Sequence, residues 1–244
     1  MTGRLPNPLM KRLRQLTSLT AEELTVVEDL CRQVRGVPAH QMIASEGAVP
    51  NSLHVLLDGW AARQKIRRDG SRQFSAILIP GDICDIDALH LARYDYGVVA
   101  MTDCKVAVVD RAQLLDVYER EPNIARVLTW LAFVDNAMLT AWITMLGRAR
   151  ALERISHLFC ELKTRLEIVD LAEKDRFDLP LTQEEIADTV GLTAVHVNRM
   201  LRQMKDEGLV RNGTNRRLMI VDESQLERIS SFTPSYLHVE GMRR

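Results

Sequence analysis

With 244 residues, 46% of them hydrophobic, the chain has the apolar content of an ordinary globular protein and room for one large or two modest domains. Its 32 Lys and Arg against 33 Asp and Glu leave a net charge of −1, which excludes a uniformly basic nucleic-acid coat. Four scattered cysteines, Cys31, Cys84, Cys104 and Cys160, include no CxxC pair, so disulfide scaffolds and zinc ribbons are not expected, while buried reduced thiols and a cytoplasmic location are.

The opening stretch MTGRLPNPLMKRLRQL has no apolar run of the signal-peptide kind. Residues 5–35 read as helical: Thr20 and Glu23 form a capping box, and Leu24, Val27, Leu30 and Cys31 share a face. From Gly36 the texture changes to short apolar runs divided by Gly47, Pro50-Asn51, Asp58-Gly59, Asp69-Gly70 and Pro80-Gly81-Asp82. Such spacing predicts short antiparallel strands in a sandwich or jelly roll, clearest at 53–57, 61–66, 74–79 and 104–109, with a hairpin end at Arg67–Gly70. Asp82, Asp85, Asp87 and Asp95 crowd one loop. Asp82, Asp85 and Asp87 with His90 have metal-ligand chemistry, but a solvated acidic loop is the simpler expectation, and no metal is expected. His40, His54 and His90 raise a cupin-like metal enzyme as a rival. The chain has no His-x-His pair and no GxSxG, HExxH or P-loop pattern, so no enzyme and no catalytic residue is expected.

Asp110 begins a short helix, and Pro122 can open a longer one. Residues 127–146 are mostly apolar, with Asp135 and Asn136 in the middle, and long enough to span a bilayer. The central Asp135 costs about 2.5–3.5 kcal/mol there, and each Leu, Ile, Phe or Val returns about 0.3–0.6 kcal/mol, so hydropathy does not decide. Periodicity does. Ile124, Val127, Leu131, Val134, Met138, Ala141 and Met145 alternate spacings of three and four, which is a heptad seam. Leu128, Ala132, Leu139, Trp142 and Leu146 form a second stripe. We expect the first stripe to zip against a symmetry mate and the second to lie on the chain's own barrel, with no membrane partner.

Residues 148–167 are amphipathic through Leu152, Ile155, Leu158, Phe159, Leu162 and Leu166, after a hinge at 147–151. Residues 170–179 read as a polar connection. At 181–210 the sequence LTQEEIADTVGLTAVHVNRMLRQMKDEGLV places a capping box at Thr182 and Glu185 and a buried face at Ile186, Ala187 and Val190. Gly191 suits a tight turn, Thr193 a second N-cap, and Val197, Leu201 and Met204 a second buried face. Val195, His196, Asn198, Arg199 and Arg202 are left outside. A surface helical hairpin would share this outline, yet the spacing is that of a helix-turn-helix whose second helix reads bases. Arg199 can bridge guanine O6 and N7, Asn198 can pair with adenine, Val195 can pack on a thymine methyl, and His196 joins them. Thr182, Thr193 and Arg202 are candidates for the DNA backbone. So are Arg211, Arg216 and Arg217, on a wing that turns at Asn212-Gly213-Thr214-Asn215. Asp222 can cap a last short helix, and 231–244 is a tail with no assigned role.

The run QEEIADTVGLTAVHVNRMLRQMKDEGLV closely resembles the DNA-binding motif of the Crp/Fnr family of bacterial transcription regulators, the cyclic-AMP receptor protein and its relatives. It matches without a gap through Thr182, Glu184-Glu185-Ile186-Ala187, Val190-Gly191, Thr193, Val197, Arg199, Leu201 and Gly208-Leu209. Gly47, Gly59, Gly70 and Gly81-Asp82 are similar to the turns of the family's cyclic-nucleotide-binding barrel. The resemblance implies an α+β chain: an effector-sensing jelly roll at 1–121, a dimerisation helix at 122–147, and a winged helix-turn-helix at 148–230 with its motif at 182–204. It implies a homodimer on a palindromic double-stranded site, recognition helix 194–204 in the major groove and half-sites about 34–36 Å apart. RNA polymerase joins the expected partners.

The pocket departs from the family pattern. Nucleotide-binding members carry glycine–glutamate–leucine after the Gly-Asp turn, then an arginine and a small hydroxyl residue. Here those stretches read Cys84-Asp85-Ile86-Asp87-Ala88 and Arg93-Tyr94-Asp95-Tyr96-Gly97. Carboxylates around a phosphate repel it, so cyclic AMP is not the expected effector. A cyclic-nucleotide-responsive regulator with an unusual pocket is the alternative. No cysteine cluster exists for an iron–sulfur centre, and no cofactor is expected. Relatives with a glutamate on the recognition helix do not lend their base preference, because Val195 or His196 stands there.

Overall fold

The computed structural model describes residues 7–173, 176–212 and 217–242. Two helices open it, α1 (Pro8–Leu16) and α2 (Ala21–Leu30). Asn7 caps α1 by accepting from the Leu9 N–H at 3.0 Å, and Thr20 and Glu23 cap α2 reciprocally. The second cap explains why the stretch divides: Thr20 must be extended to reach the Glu23 N–H, so no single helix runs through it.

Seven strands follow: β1 (Val34–Val37), β2 (Met42–Ala44), β3 (Ser52–Asp58), β4 (Ala61–Ile66), β5 (Arg72–Leu78), β6 (Gly97–Ala100) and β7 (Cys104–Asp110). They form two sheets, ordered β1-β7-β3 and β2-β6-β4-β5, in the jelly-roll class expected. β3 and β7 pair antiparallel from Ser52↔Asp110 to Asp58↔Lys105. Gly59 turns the chain out of β3 at φ +85°, and a Cβ there would stand 2.3 Å from the Asp103 carbonyl oxygen, so no side chain fits. β1, β2 and β6 lie outside the expected strands, since three or four residues are too few to show an alternation.

Then come α3 (Arg111–Arg120), α4 (Pro122–Arg148), α5 (Ala151–Ile168), β8 (Ala172–Glu173), β9 (Arg176–Asp178), α6 (Gln183–Val190), α7 (Ala194–Asp206), β10 (Val210–Asn212), β11 (Arg217–Ile220) and α8 (Glu223–Ser230). The third sheet runs β10-β11-β9-β8. The supposed polar connection at 170–179 therefore supplies two strands, and Phe177 anchors them by burial. The chain divides into two compact units. One holds most of both N-terminal sheets and the first half of α4. The other holds the second half of α4, the β4–β5 turn with most of β5, and the C-terminal elements.

In the first unit the acidic loop is solvated only in part: Asp95 is exposed, Asp87 half-buried, and Asp82 and Asp85 are buried. Asp85 is 0% exposed and accepts from the His54 N–H, His54 Nδ1 and the Tyr94 hydroxyl, each at 2.7 Å. Asp82 is buried too, paired with Arg12 Nη1 at 2.7 Å and accepting from the Ile79 N–H at 2.8 Å. Asp87 accepts from the Tyr96 hydroxyl at 2.8 Å. A buried carboxylate without a donor is costly, and the side-chain donors here come from 9 to 70 positions away, where no local pattern reveals them. Asp82, Asp85 and Asp87 each turn to their own partner, and His90 packs edge-on against Tyr118. Among the described residues no three His, Cys, Asp or Glu groups converge. His40, His54 and His90 are not assembled into a cupin-like centre either.

Helix α4 corrects the seam assignment. Ile124, Val127, Leu131, Val134 and Met138 are buried within the single chain, so that stripe faces inward and is not free to meet a twin. Ala141 and Met145 continue it, half-buried. Of the stripe assigned to the barrel, only Trp142 is buried; Leu128, Ala132, Leu139 and Leu146 stay half-exposed. Beyond them lies an exposed row, Thr129, Phe133, Asn136, Thr140, Ile143 and Gly147, again spaced four and three apart. Phe133 is 67% and Ile143 72% exposed. Period alone identified two stripes but not which one the subunit covers. By length and composition α4 passes for a membrane span, yet its inward stripe is packed and Asp135 is ion-paired with Arg63.

In the second unit the tail is built into the packing. Tyr236 donates its hydroxyl proton to Glu161 Oε2 at 2.8 Å, which leaves His157 Nε2, also at 2.8 Å, to donate to Tyr236. Trp142 Nε1 donates to the same carboxylate at 3.0 Å, and Arg165 pairs with it at 3.2 Å. Burial pushes His157 down to about 4 and Glu161 upward. A histidine held neutral contributes stability that is present above its ordinary value of 6.5 and lost as pH falls toward about 4. That loss is on the order of 3 kcal/mol; Glu161 works with the opposite sign. His157→Gln is therefore expected to flatten the fall in urea midpoint between pH 6.5 and 4, and parallel curves for both proteins would contradict the assignment.

Candidate nucleic-acid interface

The site is built from two capped helices. Thr182 accepts from the Glu185 N–H at 3.2 Å, and Glu185 Oε2 accepts from the Thr182 N–H at 2.7 Å, which starts α6. Gly191 ends it in the left-handed conformation, φ 64° and ψ 44°, which glycine adopts without a Cβ penalty. Thr193 then caps α7 by accepting from the His196 N–H at 3.3 Å. Ile186, Ala187, Val190, Val197 and Met204 are buried between the helices and their support, and Leu201 is half-buried.

What remains outside is the forecast face. Val195 is 82% exposed in the first turn of α7, where its side chain is free to meet a thymine methyl. Asn198, Arg199, Arg202 and Lys205 are exposed beside it. Two of the base-contact candidates are held by neighbours. Asn198 Nδ2 donates to Gln183 Oε1 at 3.0 Å, which orients the amide. Arg199 Nη2 lies 3.0 Å from His196 Nε2, and a guanidinium has no acceptor, so His196 accepts through that nitrogen. His196 is half-buried and steadies Arg199, so in this state the structure does not turn it outward with the others.

Of the backbone candidates, Thr182, Thr193, Arg202 and Arg211 are exposed. Thr182 and Thr193 have their hydroxyls engaged as caps, so a phosphate would meet the helix N-terminal N–H groups around them. Arg217 lies on β11, while Arg216 and the turn at 213–215 lie outside the described residues. Arg211→Ala is expected to weaken binding to every duplex alike and to lower the salt slope by about one unit; a loss confined to one sequence would contradict a phosphate role.

Three supports were not legible beforehand. Arg154 on α5 donates to the Ala149 carbonyl at 2.9 Å and to Val190 at 3.0 Å, tying the end of α6 to the α4–α5 break. Arg72 pairs with Asp188 at 2.7 Å, and Gln73 donates to the Thr189 carbonyl at 3.0 Å, so the β4–β5 hairpin holds the same helix end. Gln183 orients Asn198. An arginine in an amphipathic helix or a hairpin carries no sign of its distant partner.

Comparison with known proteins agrees with this geometry. Residues 34–121 match the model of a cyclic nucleotide-binding domain, and residues 153–229 that of a Crp-like helix-turn-helix domain. The chain is 27% identical to the nitrogen fixation regulation protein FixK of Azorhizobium caulinodans over 80% of each chain. It is 27% identical to the transcriptional activator protein FnrL of Cereibacter sphaeroides, over 84% of this chain and 83% of that one. Among solved structures, FixK2 from Bradyrhizobium japonicum superposes with a TM-score of 0.76 at 22% identity, covering 82% of this chain and 98% of that one.

Proposed function

Because the chain belongs to the Crp/Fnr family of DNA-binding transcription regulators, we propose that it acts as a homodimer on a palindromic site, independently of cyclic AMP. Crp/Fnr regulators bind DNA and act as dimers. The observation that carries the reading is the exposed row of Val195, Asn198, Arg199 and Arg202 on a helix with a fixed N-terminus. The four recur at i, i+3, i+4 and i+7, so one groove can meet them together. The exposed row from Thr129 to Gly147 is the dimer seam in this reading. Its Asn136 sits mid-seam, where one polar residue selects register.

The effector side rests on pairing. Asp82, Asp85 and Asp87 already have donors, and among the described residues no buried side-chain polar atom of the first unit lacks a partner. Tyr94 follows Arg93 where nucleotide-binding relatives place a small hydroxyl residue, and it is committed to Asp85; Arg93 itself donates to the Gly47 carbonyl at 2.9 Å. A cyclic phosphate would have to displace these bonds and then face carboxylates. The reading includes no resident cofactor, work in the cytoplasm, and contact with RNA polymerase at the regulated site. The test compares affinity for a selected duplex with and without cyclic AMP. Equal affinities are expected, and a large gain would restore the cyclic-nucleotide alternative.

A further inference from the structure

Arg63 on β4 and Asp135 in the middle of α4 form an ion pair within the first unit. Arg63 is 4% exposed and held independently of Asp135. Nε donates to the Cys84 carbonyl at 2.8 Å and Nη2 to the Ile83 carbonyl at 3.1 Å. The guanidinium lies 5.2 Å from the centre of the Tyr96 ring, whose hydroxyl is fixed by Asp87. The cation is thus a fixed point of the sheet. Asp135 is the single charged residue of α4 between Arg126 and Arg148.

That isolation has a physical consequence. The rest of the helix is apolar on more than one side, and apolar contacts are non-directional. Apolar packing alone therefore specifies one rotational setting less sharply than a directional contact does. An ion pair is such a contact. Advancing the helix by one residue turns it about 100° and carries Asp135 off Arg63, so the buried guanidinium loses the carboxylate it now faces while keeping its two carbonyl acceptors.

We propose that Arg63 and Asp135 are positioning residues for DNA binding: their pair pins the rotational setting of α4, so that the row through Phe133, Asn136 and Thr140 is the one presented to the second copy. The pin rests on α4 being the dimer helix. The spacing of the two recognition helices follows from that setting, since a turned α4 would dock its twin through a different stripe.

The test replaces the pair by apolar residues of similar volume, Arg63→Met with Asp135→Leu, in the full chain carrying Thr140→Cys as a cross-linking reporter. Thermal midpoint, cross-linking yield at position 140 and affinity for a selected duplex are read together. The pin predicts a folded protein with an unchanged midpoint, a reduced yield, and affinity lower by about tenfold or more. Unchanged yield and affinity in the folded double variant would overturn it, as would losses that follow the midpoint alone. Should the double variant not fold, Asp135→Glu keeps the charge and lengthens the reach by one methylene. A several-fold loss of affinity at constant midpoint is then expected, and full affinity would again overturn the pin. Sedimentation of the unaltered protein separates the two ideas: a monomer there ends the dimer reading itself, whatever the variants do.

Discussion

Arg199→Ala is expected to erase most of the preference for a selected site over random duplex while leaving the fold intact. Arg199 is exposed and lies against the neighbouring His196, so its removal opens no cavity. A bidentate arginine–guanine contact discriminates by about 1–3 kcal/mol, and a dimer makes two, so the ratio should fall by roughly thirtyfold to ten-thousandfold. Competition binding against random DNA measures it. Arg202→Ala is the internal control, because its expected loss is shared by all sequences. If preference survives Arg199→Ala unchanged, α7 presents a different face to the groove.

Phe133→Asp is expected to have the second large effect. The side chain is already 67% exposed, so the isolated subunit should lose little stability. In a symmetric dimer the change puts one carboxylate from each copy into the same seam. Sedimentation should then report a monomer, and affinity should fall by about a hundredfold or more as the second half-site is no longer tethered to the first. The contrast with the inward stripe is decisive. Leu131→Asp buries a charge inside the subunit and should unfold it, whereas Phe133→Asp should separate two folded subunits. A Phe133→Asp protein that remains dimeric with full affinity would remove α4's outer row from the interface.

Local chemistry made much of this legible in the sequence. Thr182 with Glu185, Gly191 and Thr193 announced both helices of the motif, because caps and left-handed turns are set within a few residues. The longer strands β3, β4, β5 and β7 were legible from their turns. What was not legible depends on distance in sequence. β1, β2 and β6 exist through their partners rather than their own pattern. Asp82 and Asp85 read as solvated until Arg12 and His54 arrive from elsewhere in the chain. The two stripes of α4 were found, but the one expected outside lies inside, the other is half-covered, and the exposed row between Thr129 and Gly147 is a third that periodicity did not single out. Asp135, weighed against a membrane span, in fact marks the inward side through Arg63. On α7 the face was legible, but not that His196 turns to Arg199 and that Gln183 steadies Asn198.

Selection of bound duplexes from a random pool tests the central claim most directly. Two copies of α7 related by a twofold axis predict an enriched inverted repeat whose half-site centres lie about 34–36 Å apart, one turn of B-form DNA. A pool that stays random, or that yields an isolated half-site or a direct repeat, would contradict it.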